Sequence, residues 1–166
     1  MSIFISIPDK EKYKAAFLYI VNALGKIEGE KKAYKLFYYL DFDFYEAYEK
    51  SFTGDIYKAL PMGPVPVYFD AIVEELNQEH KVTIRKSRMF LSHDNDTVIF
   101  EPKAKSNYKF TPKEKGMLDR IIRLYGQQTG KSLEQLSHAE APYNAVGLYQ
   151  IIPYEYSIYR DTPNLI

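Results

Sequence analysis

Residues 30–49 run EKKAYKLFYYLDFDFYEAYE, and the reading of this stretch decides the fold. Ala33, Leu36, Phe37, Leu40, Phe44 and Ala47 recur at helical spacing and make one apolar stripe. Tyr34, Tyr38, Asp41, Tyr45 and Tyr48 make a second stripe beside it. A helix that is apolar or aromatic over so much of its circumference is normally buried on most sides. The stretch is therefore predicted to be the central helix of the core. Tyrosine suits its margins, because the ring packs while the hydroxyl reaches water or a polar partner.

Upstream, Asp9 follows Pro8 as an N-cap, and a first helix is predicted to run to Leu24 or Gly25. Tyr13, Phe17, Ile20, Leu24 and Ile27 give its apolar face, and Gly25 and Gly29 are expected to bracket a turn. Downstream, residues 51–65 carry Gly54, Pro61, Gly63 and Pro64 and are predicted to be a loop. Pro66 is expected to open a third helix whose core face is Phe69, Ile72, Val73 and Leu76. Two or three short strands follow at 82–86, 89–91 and 97–100. His93, Asp94, Asn95 and Asp96 turn between them, which predicts a small antiparallel hairpin or meander. Thr111, Pro112 and Glu114 form a capping box for a fourth helix with Leu118, Ile121, Ile122 and Tyr125 on its buried side, ended by Gly126 or Gly130. Ser132 to Gln135 is a second capping box, opening a short fifth helix with Leu133, Leu136 and His138 that Ala141, Pro142 and Tyr143 break. The predicted class is α+β and mostly α-helical: a compact bundle of about five helices around the Tyr-rich helix, with the hairpin inserted. No repeat or low-complexity linker divides it, so residues 1–150 are expected to be a single domain and 151–166 an irregular tail rich in Tyr and Pro.

A chain of 166 residues can bury a core without metal or disulfide staples. Its 22 basic and 22 acidic residues cancel, which counts against a nucleic-acid partner held by general basicity. The absence of Cys excludes a disulfide scaffold, a thiolate zinc site and a Cys nucleophile. Residues 1–9 have no basic n-region and too short an apolar run for a signal peptide. The apolar stretch Ala15 to Val21 is far below the roughly 18 residues of a membrane span. The expected compartment is the cytoplasm, with no membrane partner.

No phosphate-binding loop, dinucleotide fingerprint, nucleophile elbow, zincin helix or EF-hand loop is present. His80, His93 and His138 are far apart, and His93 with Asp94 and Asp96 is better explained as a turn than as a metal site. Asp41 and Asp43 point about 200° apart on a helix and do not share a site. Asp41 is instead expected to accept a hydrogen bond from a backbone or Tyr group within the fold. An enzyme alternative, a metal-dependent hydrolase, would use Asp41, Asp55 and His138. The loop from Thr53 to Pro66 is either a rigid connector or a preorganised recognition surface, since ordering it on binding would cost little entropy. Ser137 and His138 with Pro142 and Tyr143 form a second cluster of this kind. Lys81, Arg85, Lys86 and Arg88, and then Lys103, Lys105 and Lys109, are local basic stretches that would serve a DNA-binding autorepressor. Such runs are more often solvated faces, and nucleic acid ranks below a protein partner.

Lys35 to Asp41 with Tyr39 inside it, then Thr53, Gly54 and Asp55, then Pro61 followed by Gly63, Pro64, Val65 and Pro66, and finally Leu136, Ser137 and His138 with Pro142 and Tyr143 occur in one order. This ordered set resembles the Panacea domain, the SocA-like antitoxin family once known only as a domain of unknown function and also found in phage-associated proteins. The resemblance covers about residues 10 to 145. Met62 stands where the family often has an aromatic residue, and Tyr143 replaces a frequent Trp. The resemblance implies an antitoxin without enzymatic activity or cofactor, binding a cognate protein toxin encoded by an adjacent gene. It also implies an alternative, an adaptor that delivers the toxin to an ATP-dependent protease. The motif residues are then the candidate partner-binding or framework positions. The 16 tyrosines fit a binding surface, although a helical core is the commoner place for them.

Overall fold

Asp9 starts the chain's first regular element as its spacing predicts. In the computed structural model, which describes residues 7–87 and 97–162, its carboxylate accepts from the Lys12 backbone N–H at 3.2 Å and caps α1, Lys10–Leu24. Gly25 ends α1 at φ +81°. Gly25 and Gly29 do not simply bracket a turn: between them lies a two-residue strand, β1, Ile27–Glu28. Ile27 needs a buried place, and the strand gives it one opposite Phe100.

The stretch that decides the fold is α2, Glu30–Tyr48, ended by Glu49 in the left-handed region. Both of its stripes face protein. Phe37 lies within 5.4 Å of the Tyr13 ring and 5.3 Å of the Phe69 ring, so α1 and α3 close over one side. From the second stripe Tyr38 and Asp41 are fully buried, while Tyr34, Tyr45 and Tyr48 are half-buried.

The expected loop after α2 contains a hairpin instead, β2, Tyr57–Leu60, and β3, Gly63–Pro66. Two prolines in one strand argued against this reading, and the register explains how they fit. Tyr57 and Ala59 direct their backbone groups away from β3, to Ile152 and Gln150. Pro66 and Pro64 face those two residues, at positions where the ladder needs no N–H. Pro66 therefore closes β3 and does not open a helix; α3, Phe69–Gln78, begins later, with the expected core face of Phe69, Ile72, Val73 and Leu76.

β4, Val82–Ser87, and β5, Thr97–Pro102, pair antiparallel, and with β1 they form a three-stranded sheet in the order β1-β5-β4. Residues 1–6, the Met89–Leu91 run, Arg88 and the His93–Asp96 turn lie outside the described residues. Both halves of the Thr111–Glu114 capping box are present at the start of α4, Pro112–Tyr125. α5, Gly130–His138, starts earlier than expected. The Thr129 hydroxyl, not that of Ser132, accepts from the Ser132 N–H at 3.1 Å and is the N-cap. This turns Leu133 and Ser137 inward and leaves Leu136 exposed. Pro142 opens another short helix, α6, Ala141–Asn144.

Residues 151–162, from the segment expected to be irregular, are ordered against the core. Ile151 bridges to Lys58, Ile152 is buried, and Tyr154–Tyr159 forms a 3-10 helix. Tyr154 explains it: its ring lies 4.7 Å from that of Phe42 and its hydroxyl donates to the Asp55 carbonyl at 2.5 Å. The fold is thus α+β and mostly helical, a bundle around α2 with small antiparallel sheets. Among the described residues no helix is long and apolar enough to cross a membrane.

Candidate functional site

Asp41, at the middle of α2, is fully buried and accepts three hydrogen bonds of 2.6 Å, from the Thr53 N–H, the Thr53 hydroxyl and the Tyr57 hydroxyl. It ties the loop after α2 and the first strand of the hairpin to the central helix, the internal role that its position on the second stripe predicts. Burial pushes its carboxyl up to about 7, against the pull of those donors, with the nearby Asp55 adding to the rise. Asp55 is equally buried. It accepts from the Tyr13 hydroxyl at 2.5 Å and from the backbone N–H groups of Ile56 at 2.6 Å and Tyr68 at 3.0 Å, so it fixes the open end of the hairpin, where β2 begins and β3 finishes, against α1. Desolvation raises its carboxyl too, with the Tyr13 bond opposing.

The other end of the hairpin is anchored by a residue that sequence reading did not single out. Lys35 is fully buried and donates to the Pro64 carbonyl at 2.9 Å. Burial pushes its amine down to about 8, with Glu134 partly opposing this and Lys31 adding to it. Gly63 lies directly on it at φ +106°. A Cβ there would be 2.7 Å from Lys35 Cε and 3.0 Å from Ser137 Oγ, so only glycine allows this close approach. Ser137 is buried and donates to the Glu134 carbonyl. Tyr143 donates to the Leu60 carbonyl at 2.7 Å, and the His138 ring stacks on it at 4.7 Å. Pro142 is buried at the start of α6.

A second buried cluster was also missed. Arg160 reaches Asp43 at 2.7 Å, Glu46 at 3.1 Å and Glu140 at 3.1 Å, and Arg120 is 3.6 Å from the other Asp43 oxygen. Tyr38 donates to Glu140 at 2.8 Å, and Tyr39 stacks on Tyr125 at 4.2 Å. Burial raises the Asp43 carboxyl, with Arg160 opposing. The sequence signal was faint: an Asp on the far side of α2 from Asp41, and an Arg inside a segment expected to be irregular.

The candidate residues differ in burial. Tyr39, Asp41, Thr53, Asp55, Gly63, Pro64, Pro66, Ser137 and Pro142 are buried, and Gly54, Val65, His138 and Tyr143 are half-buried; Pro61 is exposed at the hairpin tip. The structure brings Asp41, Thr53 and Asp55 together around Tyr13 and Tyr57, and Gly63, Pro64 and Ser137 together around Lys35. His138 belongs to the second group and does not join Asp41 and Asp55: among the described residues no three His, Asp or Glu side chains converge as a metal site. Chemically, the first group is a set of buried acceptors whose donors are all supplied by the chain itself. Of the basic stretches, Lys81 pairs with Glu79 and Arg85 with Glu101, whereas Lys103, Lys105 and Lys109 are exposed.

Compared with known proteins, the chain matches the family described as antitoxin SocA-like, Panacea domain, over residues 34–143, a span from α2 through α6 that includes both groups. No curated protein and no solved structure matches it. The match takes in most of the chain, with Lys35, Asp41, Thr53, Asp55, Gly63, Pro64 and Ser137 inside it, and the protein belongs to the SocA-like antitoxin family of the Panacea domain.

Proposed function

We propose that this protein neutralises a cognate protein toxin, encoded by an adjacent gene, by direct and stoichiometric binding, and that it does so without catalysis. The observation that supports this reading most strongly is the occupation of its carboxylates. Asp41 and Asp55, the acids that an enzyme would use, receive hydrogen bonds from Thr53, Tyr57, Tyr13, Ile56 and Tyr68 and hold the hairpin in place. The ordered residues therefore serve as a framework, and a framework that is rigid before contact lowers the entropy lost on binding. Family membership supplies the kind of partner, a toxin.

The test is co-expression with the product of the adjacent reading frame. Growth arrest by that product alone, relieved when this chain is present, is the expected result. A harmless neighbour, or arrest that persists, overturns the reading. Repeating the rescue in cells lacking ATP-dependent proteases separates binding from delivery: rescue survives under direct sequestration and disappears under an adaptor mechanism.

A further inference from the structure

A groove in the described surface combines apolar lining with an excess of cations. It lies between α1, residues 104–110 and α4, and encloses about 690 Å³. Its walls are held firmly. Asn22 on α1 donates to the Ala104 carbonyl at 2.9 Å, and the Phe110 ring meets that of Tyr19 edge-on at 5.8 Å. Ile122 and Phe110 contribute half-buried apolar surface over the buried Ala15 and Leu18, with Ala23 exposed beside them.

The charge is one-sided. Lys105, Lys115 and Arg123 line the groove, all three are exposed, and none pairs with a carboxylate among the described residues. One acid shares the lining, Asp119, which accepts from the Tyr19 hydroxyl, so cations outnumber acids there three to one. Several cations elsewhere meet acids: Lys14 pairs with both Glu75 and Glu79, and Lys12 with Glu114. The chain is neutral as a whole, so three cations against one acid around an apolar trough make a local positive excess there.

We propose that this groove receives an acidic amphipathic helix of the partner protein, its apolar stripe on Ile122 and Phe110 and its carboxylates against Lys105, Lys115 and Arg123. The inference rests on the antitoxin reading above and names the surface and the chemistry of what it binds. An apolar floor under a basic rim suits a helix laid in a groove, where apolar anchors at helical spacing give affinity and flanking charges give orientation. A nucleic acid would use the rim and leave the apolar floor without a role.

The test uses the full chain and the purified product of the adjacent gene. Binding of the unaltered chain is measured first, at low and at raised salt, and is expected to weaken as salt rises. Two variants follow: Lys105→Glu with Arg123→Glu, which reverses the rim, and Ala23→Glu, which places a negative charge at an exposed position in the groove. Each is expected to bind at least tenfold more weakly with an unchanged melting temperature, whereas Tyr149→Ala, on an exposed residue beside β2, binds as before. Binding unaltered by both groove variants overturns the proposal while leaving the antitoxin reading intact. So does a loss confined to Tyr149→Ala, or groove variants that abolish only a promoter-DNA complex. If the unaltered chain does not bind the neighbour at all, the antitoxin reading fails and this inference fails with it.

Discussion

Asp41 offers the sharpest test of the framework. Replacing it with alanine leaves three buried donors, the Thr53 N–H and the hydroxyls of Thr53 and Tyr57, without their acceptor. Each unsatisfied buried donor costs about 1–3 kcal/mol, so Asp41→Ala is expected to destabilise the fold by about 4 kcal/mol or more. Asp41→Asn keeps an acceptor for the Thr53 N–H and makes the two hydroxyls reorient, for a loss of about 1–2 kcal/mol near neutral pH. The pH dependence carries the stronger signature. Burial raises the carboxyl from its usual 3.8 to about 7, so between these values the folded chain holds a proton that the unfolded chain releases. Stability from this group is therefore greatest below the lower value and falls as pH rises through the window, by about 4 kcal/mol in all. Asparagine, neutral throughout, lacks that slope. Urea unfolding of both chains at pH 4.5, 6 and 7.5, followed by circular dichroism, should show the advantage of the unaltered chain shrinking as pH rises. Asp43 and Asp55 shift in the same direction, so the difference between the two chains isolates Asp41. An advantage that grows with pH would instead mean an ionised Asp41 stabilised by its three donors, the opposite of a carboxyl held neutral by burial.

Three further outcomes are expected. The Lys35 amine is pushed down to about 8, so the folded chain releases a proton that the unfolded chain keeps to 10.5, and stability from this group rises with pH across that range. Lys35→Met removes the rise, and thermal melts at pH 7.5 and 10 should show the difference between the chains moving by about 2 kcal/mol in favour of the unaltered one. Gly63→Ala combines φ +106° with a Cβ 2.7 Å from Lys35 Cε and should lower stability by at least about 2 kcal/mol in calorimetry. Arg160→Met strips Asp43 of its nearest cation and should destabilise by about 3–5 kcal/mol; adding Asp43→Asn should recover part of that, and a double variant as unstable as the sum of the two would contradict the pairing.

Local signals carried most of the helical fold. Asp9 and Thr111 cap their helices through hydrogen bonds made within three residues, and the stripes of α2 face the core because helical spacing alone sets which residues share a face. The hairpin was hidden because proline content marks a loop unless the register is known; only the turning of Tyr57 and Ala59 toward residues 150–152 makes Pro64 and Pro66 acceptable in β3. The start of α5 was misplaced because Thr129 and Ser132 are both good caps, and the packing of Leu133 and Ser137 decides between them. Within the site, the acceptor role of Asp41 followed from its place on the second stripe. Lys35 and Arg160 did not, since their partners, Pro64 for one and Asp43, Glu46 and Glu140 for the other, are distant in sequence and a lone charge gives no hint of burial.

The central claim is that a rigid, non-catalytic chain binds its toxin directly, and sedimentation velocity tests it without a living cell. The purified chain is mixed with the purified product of the adjacent gene, with no ATP, protease or added metal. The account predicts that both sediment as a single heavier species of fixed stoichiometry. Two independently sedimenting proteins, from a pair in which this chain still rescues growth, would contradict it.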